Sequence, residues 1–431
     1  MRVAIHTLGC KANQYETQAM ETILTARGHT LVPFEDQADA YVVNSCTVTA
    51  VSDRKSRQAV RQARKRAPEA IVALCGCYPQ VAPSAAAQLD CDLIAGSGDR
   101  GAFLDLLERA VRRQQVVAVD DALRRRQFEF LPAGGLAGRT RAMLKVEDGC
   151  ANFCAYCIIP YARGAVRSLP LAQAAAEARR LEEAGYRELV LTGIELSSYG
   201  RDLPGRPGPE DLIEAVCQAA PNLRVRLGSL EPRTVTETVC RRLAALPNLC
   251  PHFHLSLQSG CDATLTRMKR RYDTARFLQS AELLRTWFDR PGLTTDLIVG
   301  FPGETEEEFG QTLAFLERCA FSRMHIFPYS RRQGTPAASM PGQVSKADKT
   351  QRAARAASLA AAMEKSWHSG WIGQTVPVLF EEEKEGFWRG YTPQYMEVRV
   401  PGMGERLHNQ IREVTVTAAA DTAAFGIIKE S

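Results

Sequence analysis

Cys150-Ala-Asn-Phe-Cys154-Ala-Tyr-Cys157 places three thiols in eight residues, directly after the apolar stretch that ends at Val146. Three thiolates so close in sequence can fold around one small metal centre. A structural zinc site asks for a fourth protein ligand, and no histidine lies close behind Cys157. A 4Fe–4S cube held by three cysteines keeps one iron without a protein ligand, open to chemistry. The triad follows a candidate strand, which makes the neighbouring segments decisive for the fold.

Downstream, strand and helix patterns alternate. Candidate strands fall at 142–147, 188–192, 223–228, 252–257, 294–299 and 323–327, with helical patterns at 171–184, 211–219, 234–245, 274–288 and 304–318. Six such repeats predict a partial (β/α)6 barrel, with the triad at the carboxyl end of its first strand. A long amphipathic helix is expected at 346–366.

Upstream, Val3–Leu8, Ala40–Val43 and Ala70–Leu74 read as buried parallel strands, with helices near 14–27 and 53–66. Residues 1–110 are therefore expected to form a separate parallel-sheet α/β domain. Cys10, Cys46 and Cys77 each follow one of these strands, so they share the sheet edge where ligands bind. They could hold a second cluster, although buried cysteines at strand ends are also ordinary packing residues. Cys75 competes with Cys77 for the third place; Cys75 continues the apolar run, whereas Cys77 follows Gly76 into the loop. Cys91, Cys217, Cys240, Cys250, Cys261 and Cys319 show no mutual spacing and read as structural.

Residues 111–140, with charge runs and then Pro132–Gly135, read as a linker. Beyond 367 the texture changes to short β-prone runs: Val376–Phe380, Gly386–Tyr391, Tyr395–Val400, Ile411–Val416 and Ala424–Lys429. They predict a small antiparallel barrel over 367–431. The 431 residues carry 13 cysteines and a net charge of +5, at 45% hydrophobic and 24% charged, which excludes a wholly disordered chain. An odd, high cysteine count suits metal ligation in a reducing compartment better than disulfides. No apolar run reaches membrane-spanning length, and no leader pattern opens the chain, so a cytoplasmic protein without membrane contact is expected.

Two basic clusters suggest a polyanionic partner. Residues 54–66 hold seven basic side chains and no acidic one, among them Arg54, Lys55 and Arg61, and Ser52 is a candidate cap for that helix. Arg267, Lys269, Arg270 and Arg271 form the second cluster. In the tail, Arg389, Arg399, Arg406 and Arg412 could make a local patch, and Phe387, Trp388 and Tyr391 could stack on bases or fill the small barrel's core.

Val146-Glu147-Asp148-Gly149-Cys150, Cys154, and Cys157-Ile158-Ile159-Pro160-Tyr161-Ala162-Arg163-Gly164 resemble the signature of radical S-adenosylmethionine (SAM) methylthiotransferases. The Asp-Gly-Cys start and the continuation to Ser168 are most similar to the threonylcarbamoyladenosine tRNA branch. The resemblance covers nearly the whole chain and implies a methylthiotransferase domain, a radical SAM barrel and a TRAM domain. It implies two 4Fe–4S clusters, one on Cys150, Cys154 and Cys157 and the other on Cys10, Cys46 and Cys77. Gly76-Cys77 fits the family's Gly-Cys motif and so favours Cys77 over Cys75; Asn13 and Asn44 also fit family motifs. Tyr156, Gly193, Glu195, Ser229, Glu231 and Gln258, at the triad or at barrel strand ends, are then candidate SAM contacts. The implied reaction places a methylthio group on carbon 2 of N6-threonylcarbamoyladenosine beside the anticodon. One SAM gives the methyl group and a second gives a 5′-deoxyadenosyl radical. A flavodoxin or ferredoxin-type electron donor, tRNA as partner and a monomeric state go with that reading. Isopentenyladenosine tRNA or a ribosomal-protein aspartate are alternative substrates, and a zinc-stabilised RNA-binding protein without catalysis is the alternative of another class.

Overall fold

The computed structural model describes residues 1–134, 140–402 and 404–429. The N-terminal unit is a six-stranded parallel sheet. Its order is Thr30–Val32, Arg2–Thr7, Ala40–Ser45, Ile71–Gly76, Leu93–Ala95 and Val116–Ala118. The central strands are apolar on both faces because helices cover both. Tyr41, Val43, Val72 and Leu74 enter one core, while Ala40, Val42, Ala73 and Cys75 enter the other. This alternation is why the runs read as continuous rather than period-two. Each fully buried valine or leucine there contributes about 1.5–3 kcal/mol.

The last strand corrects the boundary expected at 110. Val116–Ala118 lies in the stretch read as linker, yet it pairs with Leu93–Ala95 and extends the sheet. The flanking charges are anchored: Arg112 Nη1 reaches Asp92 Oδ1 at 3.1 Å and the Arg113 amide donates to the same oxygen at 2.9 Å. Residues 135–139 of that stretch, with Gly135, lie outside the described residues.

The central unit is an open barrel in two parallel sheets. Arg141–Lys145, Glu188–Thr192 and Arg224–Leu227 form one. Ser229–Leu230, His252–Gln258, Gly292–Val299 and Arg323–Pro328 form the other. A bridge pairs Val225 with Leu249, in the segment that leads into His252–Gln258. Helices Leu171–Glu183, Pro209–Ala219, Glu237–Ala244, Thr274–Trp287 and Glu306–Cys319 wrap the outside, and Lys346–Ser369 closes the unit. The C-terminal strands Thr375–Lys384, Phe387–Tyr391, Glu397–Pro401, Ala424–Ile428 and Ile411–Ala419 form a closed barrel in that order, as a TRAM domain requires. One pair, Glu397–Pro401 with Ala424–Ile428, is parallel, so the barrel is not wholly antiparallel. Met403, Glu430 and Ser431 of the expected 367–431 domain lie outside the described residues. Among the described residues no helix is long and apolar enough to cross a membrane.

Candidate active site

Cys10, Cys46 and Cys77 stand at the carboxyl ends of three adjacent strands and are electrostatic neighbours. Their close approach depends on two glycines. Gly9 sits at φ +105°, and a Cβ there would lie 2.8 Å from Cys46 Sγ; Gly76, at φ +100°, would put one 2.5 Å from the Ser45 carbonyl. Neither position admits a side chain. Asn13 ties the loops together, donating from Nδ2 to the carbonyls of Leu8 (2.7 Å) and Ser45 (2.9 Å). Burial pushes the Cys77 thiol up to about 12 and raises that of Cys46. Cys75 is packed away in the apolar core.

The second triad occupies the loop after Glu147–Asp148. The Cys150 amide donates to the Gly164 carbonyl (3.1 Å) and the Cys157 amide to that of Cys154 (2.9 Å). Burial lifts the Cys150 thiol, and pushes that of Cys157 up to about 12. Arg270 Nη1 donates to Cys154 Sγ at 3.1 Å, and its guanidinium lies over the Tyr272 ring. Tyr156 packs against Met268, Phe301 and Tyr329.

Between the triads lies a buried charge network. Glu16, fully buried, accepts from Arg100 (2.9 Å), Lys145 (3.0 Å) and Arg163. Arg163 also donates from Nε to Cys77 Sγ (3.3 Å) and reaches Asp148 Oδ2 at 3.4 Å. Burial alone would raise the Glu16 carboxyl; Arg163, Lys145 and Arg100 outweigh it and hold the group well below the usual carboxylate range. Asp148, equally buried, is brought down to about 2 by Lys145, Arg163 and Arg167. One guanidinium thus touches a thiol of one triad and the carboxylate that precedes the other. A second tie joins Arg332 to Asp53 (2.7 Å) and Thr47 (2.6 Å).

A cavity of about 640 Å³ runs from Cys10 and Lys11 on the N-terminal unit, past Gly193 and Ser229, to His254 and Asp296 inside the barrel and Tyr395 beneath. Arg226 holds that last loop, donating to the carbonyls of Pro393 (2.8 Å) and Thr392 (3.1 Å). Gly193 and Ser229 therefore face the chamber. Glu195 accepts from Ser198 Oγ (3.0 Å) and from Asn152, within the cysteine loop. Glu231 is held by Arg233 (2.8 Å), and Gln258 is a buried residue at φ +70° beside a strand irregularity.

Family models match in two places: the uncharacterized protein family UPF0004 over residues 2–96 and the radical SAM superfamily over 144–316. The chain is 38% identical to the threonylcarbamoyladenosine tRNA methylthiotransferase MtaB of Bacillus subtilis, over 93% of this chain and 90% of that protein. Similarity to the MtaB of Aquifex aeolicus is 36%, over 94% and 98%. The chain belongs to the radical SAM methylthiotransferase family. A 33% match to a tRNA-2-methylthio-N(6)-dimethylallyladenosine synthase of Symbiobacterium thermophilum spans 100% of this chain and 95% of that one. Among solved structures, the radical SAM methyltransferase TsrM of Kitasatospora setae shares the fold at a TM-score of 0.57 and 15% identity, covering 78% and 75% of the chains.

A radical SAM methylthiotransferase uses SAM and a 4Fe–4S cluster, and the donor chemistry fits. Among the described residues no group of three or more His, Cys, Asp or Glu side chains is arranged to hold a single metal ion. A cube spreads its thiols over separate irons and does not ask for three donors around one ion. Guanidinium donors to Cys77 and Cys154 suit anionic sulfur.

The methylthiotransferase's basic clusters divide. Arg54, Lys55 and Arg61 are exposed and form no ion pair among the described residues. The helix carrying them is Ala50–Arg66, capped by Thr49 accepting from the Ser52 amide, which corrects Ser52 as the cap. Lys269 and Arg271 are exposed. Arg267 is bound to Glu308 (2.9 Å), and Arg270 turns inward to Cys154; neither presents a free phosphate donor, because local partners have taken them. In the tail, Arg389 pairs with Glu385 (2.8 Å), Arg399 with Glu397 (2.7 Å) and Arg412 with Glu405 (2.8 Å). Trp388 is in the small barrel's core, and Tyr391 stacks on Tyr395 with ring centroids 5.1 Å apart. Sequence reading assigned no role to Glu16, Lys145 or Arg163. Arg163 and Asp148 lie in the quoted signature, and Glu16 is three residues past Asn13; that proximity was the available signal.

Proposed function

We propose that this enzyme adds a methylthio group to carbon 2 of N6-threonylcarbamoyladenosine beside the anticodon of tRNA, with one 4Fe–4S cluster on Cys150, Cys154 and Cys157 and another on Cys10, Cys46 and Cys77. The observation that carries the reading is the chamber, which Cys10 enters from one unit while Gly193 and Ser229 enter from the other. Reductive cleavage of SAM and delivery of sulfur are the chemistry that the two clusters supply. The chain's own residues do the rest. Arg163 and Glu16 lock the two thiol-bearing units together, and the Tyr395 loop closes the chamber from below. Of the SAM candidates, Gly193 and Ser229 line the chamber, whereas Tyr156, Glu195, Glu231 and Gln258 stand outside its lining. Arg54, Lys55, Arg61 and Lys269 remain as phosphate contacts; Arg267, Arg270 and Arg389 do not.

Identity to the threonylcarbamoyladenosine enzymes, 38% and 36% against 33%, favours that substrate over dimethylallyladenosine. The reaction takes its electrons from a flavodoxin or ferredoxin-type donor, and the enzyme acts as a cytoplasmic monomer. Anaerobic turnover with SAM, dithionite and tRNA, followed by mass analysis of nucleosides, tests this. The expected product is the 2-methylthio derivative of threonylcarbamoyladenosine. A Cys150/Cys154/Cys157→Ala variant should form no 5′-deoxyadenosine; persistence of that by-product rejects the assignment of the first cluster.

A further inference from the structure

Lys11 opens the helix Lys11–Ala26, directly after Cys10, and its side chain projects into the chamber. It makes no hydrogen bond or ion pair among the described residues that would neutralise it, although Tyr395, Arg226, Arg141 and Glu188 lie within its electrostatic reach. Apart from the cysteine thiols, the cavity lining offers Lys11 no free carboxylate among the described residues. Both oxygens of Glu188 are taken by Arg226, at 2.7 and 2.8 Å. Asp296, the one carboxylate lining the cavity among the described residues, lies 3.3 Å from His254 Nε2. Arg323, on the barrel strand Arg323–Pro328, adds a second cation to the lining and lies 3.9 Å from Glu364. Lys11 and Arg323 thus give the lining two basic side chains without a close carboxylate partner.

Lys11 is exposed in the open chamber, so a substrate that covers it either supplies an anionic group or desolvates the ammonium unpaired, which selects for an anion. The threonylcarbamoyl substituent ends in a free carboxylate and a hydroxyl; a dimethylallyl substituent is pure hydrocarbon and would strand the charge. We propose that Lys11 binds the carboxylate of the N6-threonylcarbamoyl group and is the residue that sets this enzyme's choice of modified adenosine. The inference rests on the substrate reading above and deepens it. Lys11 neighbours Cys10 in sequence, so a carboxylate held there keeps the adenine close to the sheet edge carrying the Cys10, Cys46 and Cys77 triad.

The test is a two-by-two cycle on the anaerobically loaded enzyme. Wild type and Lys11→Met are each assayed on tRNA bearing threonylcarbamoyladenosine and on the same tRNA with its threonyl carboxylate methyl-esterified. Esterification should lower wild-type kcat/KM by about 10- to 100-fold, the range for a charge-assisted hydrogen bond. Lys11→Met should lose a similar factor on the acid and less than about threefold on the ester. Lys11→Arg should keep the preference for the acid. Equilibrium binding of the two tRNAs without reductant should show the same pattern, and the ester arm on wild type needs no variant to fold. Additive losses with an active wild type overturn this proposal alone. So does a Lys11→Met defect that tracks SAM affinity equally on both tRNAs, which would assign the lysine to the methionine carboxylate. A wild type inactive on threonylcarbamoyladenosine but active on dimethylallyladenosine overturns the substrate reading in the first arm, and this proposal with it.

Discussion

Replacing Glu16 with glutamine keeps the shape of a side chain that is fully buried and removes the charge that three cations share. Lys145, now 3.0 Å from Glu16, and Arg163 would then keep only Asp148 as carboxylate partner, and Arg100, now at 2.9 Å, would lose its ion pair. Breaking a buried ion pair from one side costs about 3–5 kcal/mol, because the other charges stay desolvated. With a urea dependence of about 3 kcal/mol per molar, the unfolding midpoint should fall by about 1–1.7 M. Glu16 belongs to the N-terminal unit, whereas Lys145 and Arg163 belong to the central one. The loss is therefore concentrated where the units meet, and trypsin should cut faster between residues 111 and 134. Acid should erase the difference. Glu16 and Asp148 both titrate below the ordinary carboxylate range, so their stabilisation is complete above about pH 5 and is lost as pH falls through their lowered values, toward about 2 for Asp148. The gap between wild type and Glu16→Gln should stay constant from about pH 8 to 5 and close below about pH 4. A midpoint shift under about 0.3 M at neutral pH would refute the network's structural role.

Alanine at Arg54, Lys55 and Arg61 together should weaken tRNA binding and flatten its dependence on log salt by about 2–3. Arg267→Ala should leave that slope alone, since Glu308 already holds the guanidinium; a fall equal to that of an exposed arginine contradicts this. Arg270→Met removes the donor 3.1 Å from Cys154 Sγ. Electron paramagnetic resonance should then place the cluster's midpoint at a more negative potential, because the reduced state loses a stabilising cation; an unchanged midpoint rejects the contact. Gly9→Ala drives a methyl group to 2.8 Å from Cys46 Sγ at a φ of +105°. Iron content after anaerobic loading should drop by about half, and full loading would show that the loop yields.

The strand–helix alternation could be read in advance because the central strands are covered on both faces and their apolar runs are unbroken. Cysteines at the ends of those runs stood out for the same reason. Val116–Ala118 did not, since it is short, exposed at the sheet edge and surrounded by charge. Glu16 and Lys11 lie on one helix amid polar neighbours, and sequence spacing alone gave no hint that the first is buried and the second enters a chamber. Arg270 is a different failure. In a run of basic residues each side chain looks like a phosphate contact, but Tyr272, with its ring under the guanidinium, draws this one inward. Trp388 was open to two readings, base stacking or barrel core, and the closed barrel takes it into its core.

The Tyr395 loop gives the C-terminal barrel a second occupation. Arg224 and Arg226 grip the carbonyls of Tyr391, Thr392 and Pro393 and plug the underside of the neighbouring unit. A chain cut at residue 366 would be a vessel with its drain open, with bulk solvent and its solutes admitted to the chamber from below. Exchanging this module between relatives would likewise change what the bottom of the vessel offers an incoming substrate.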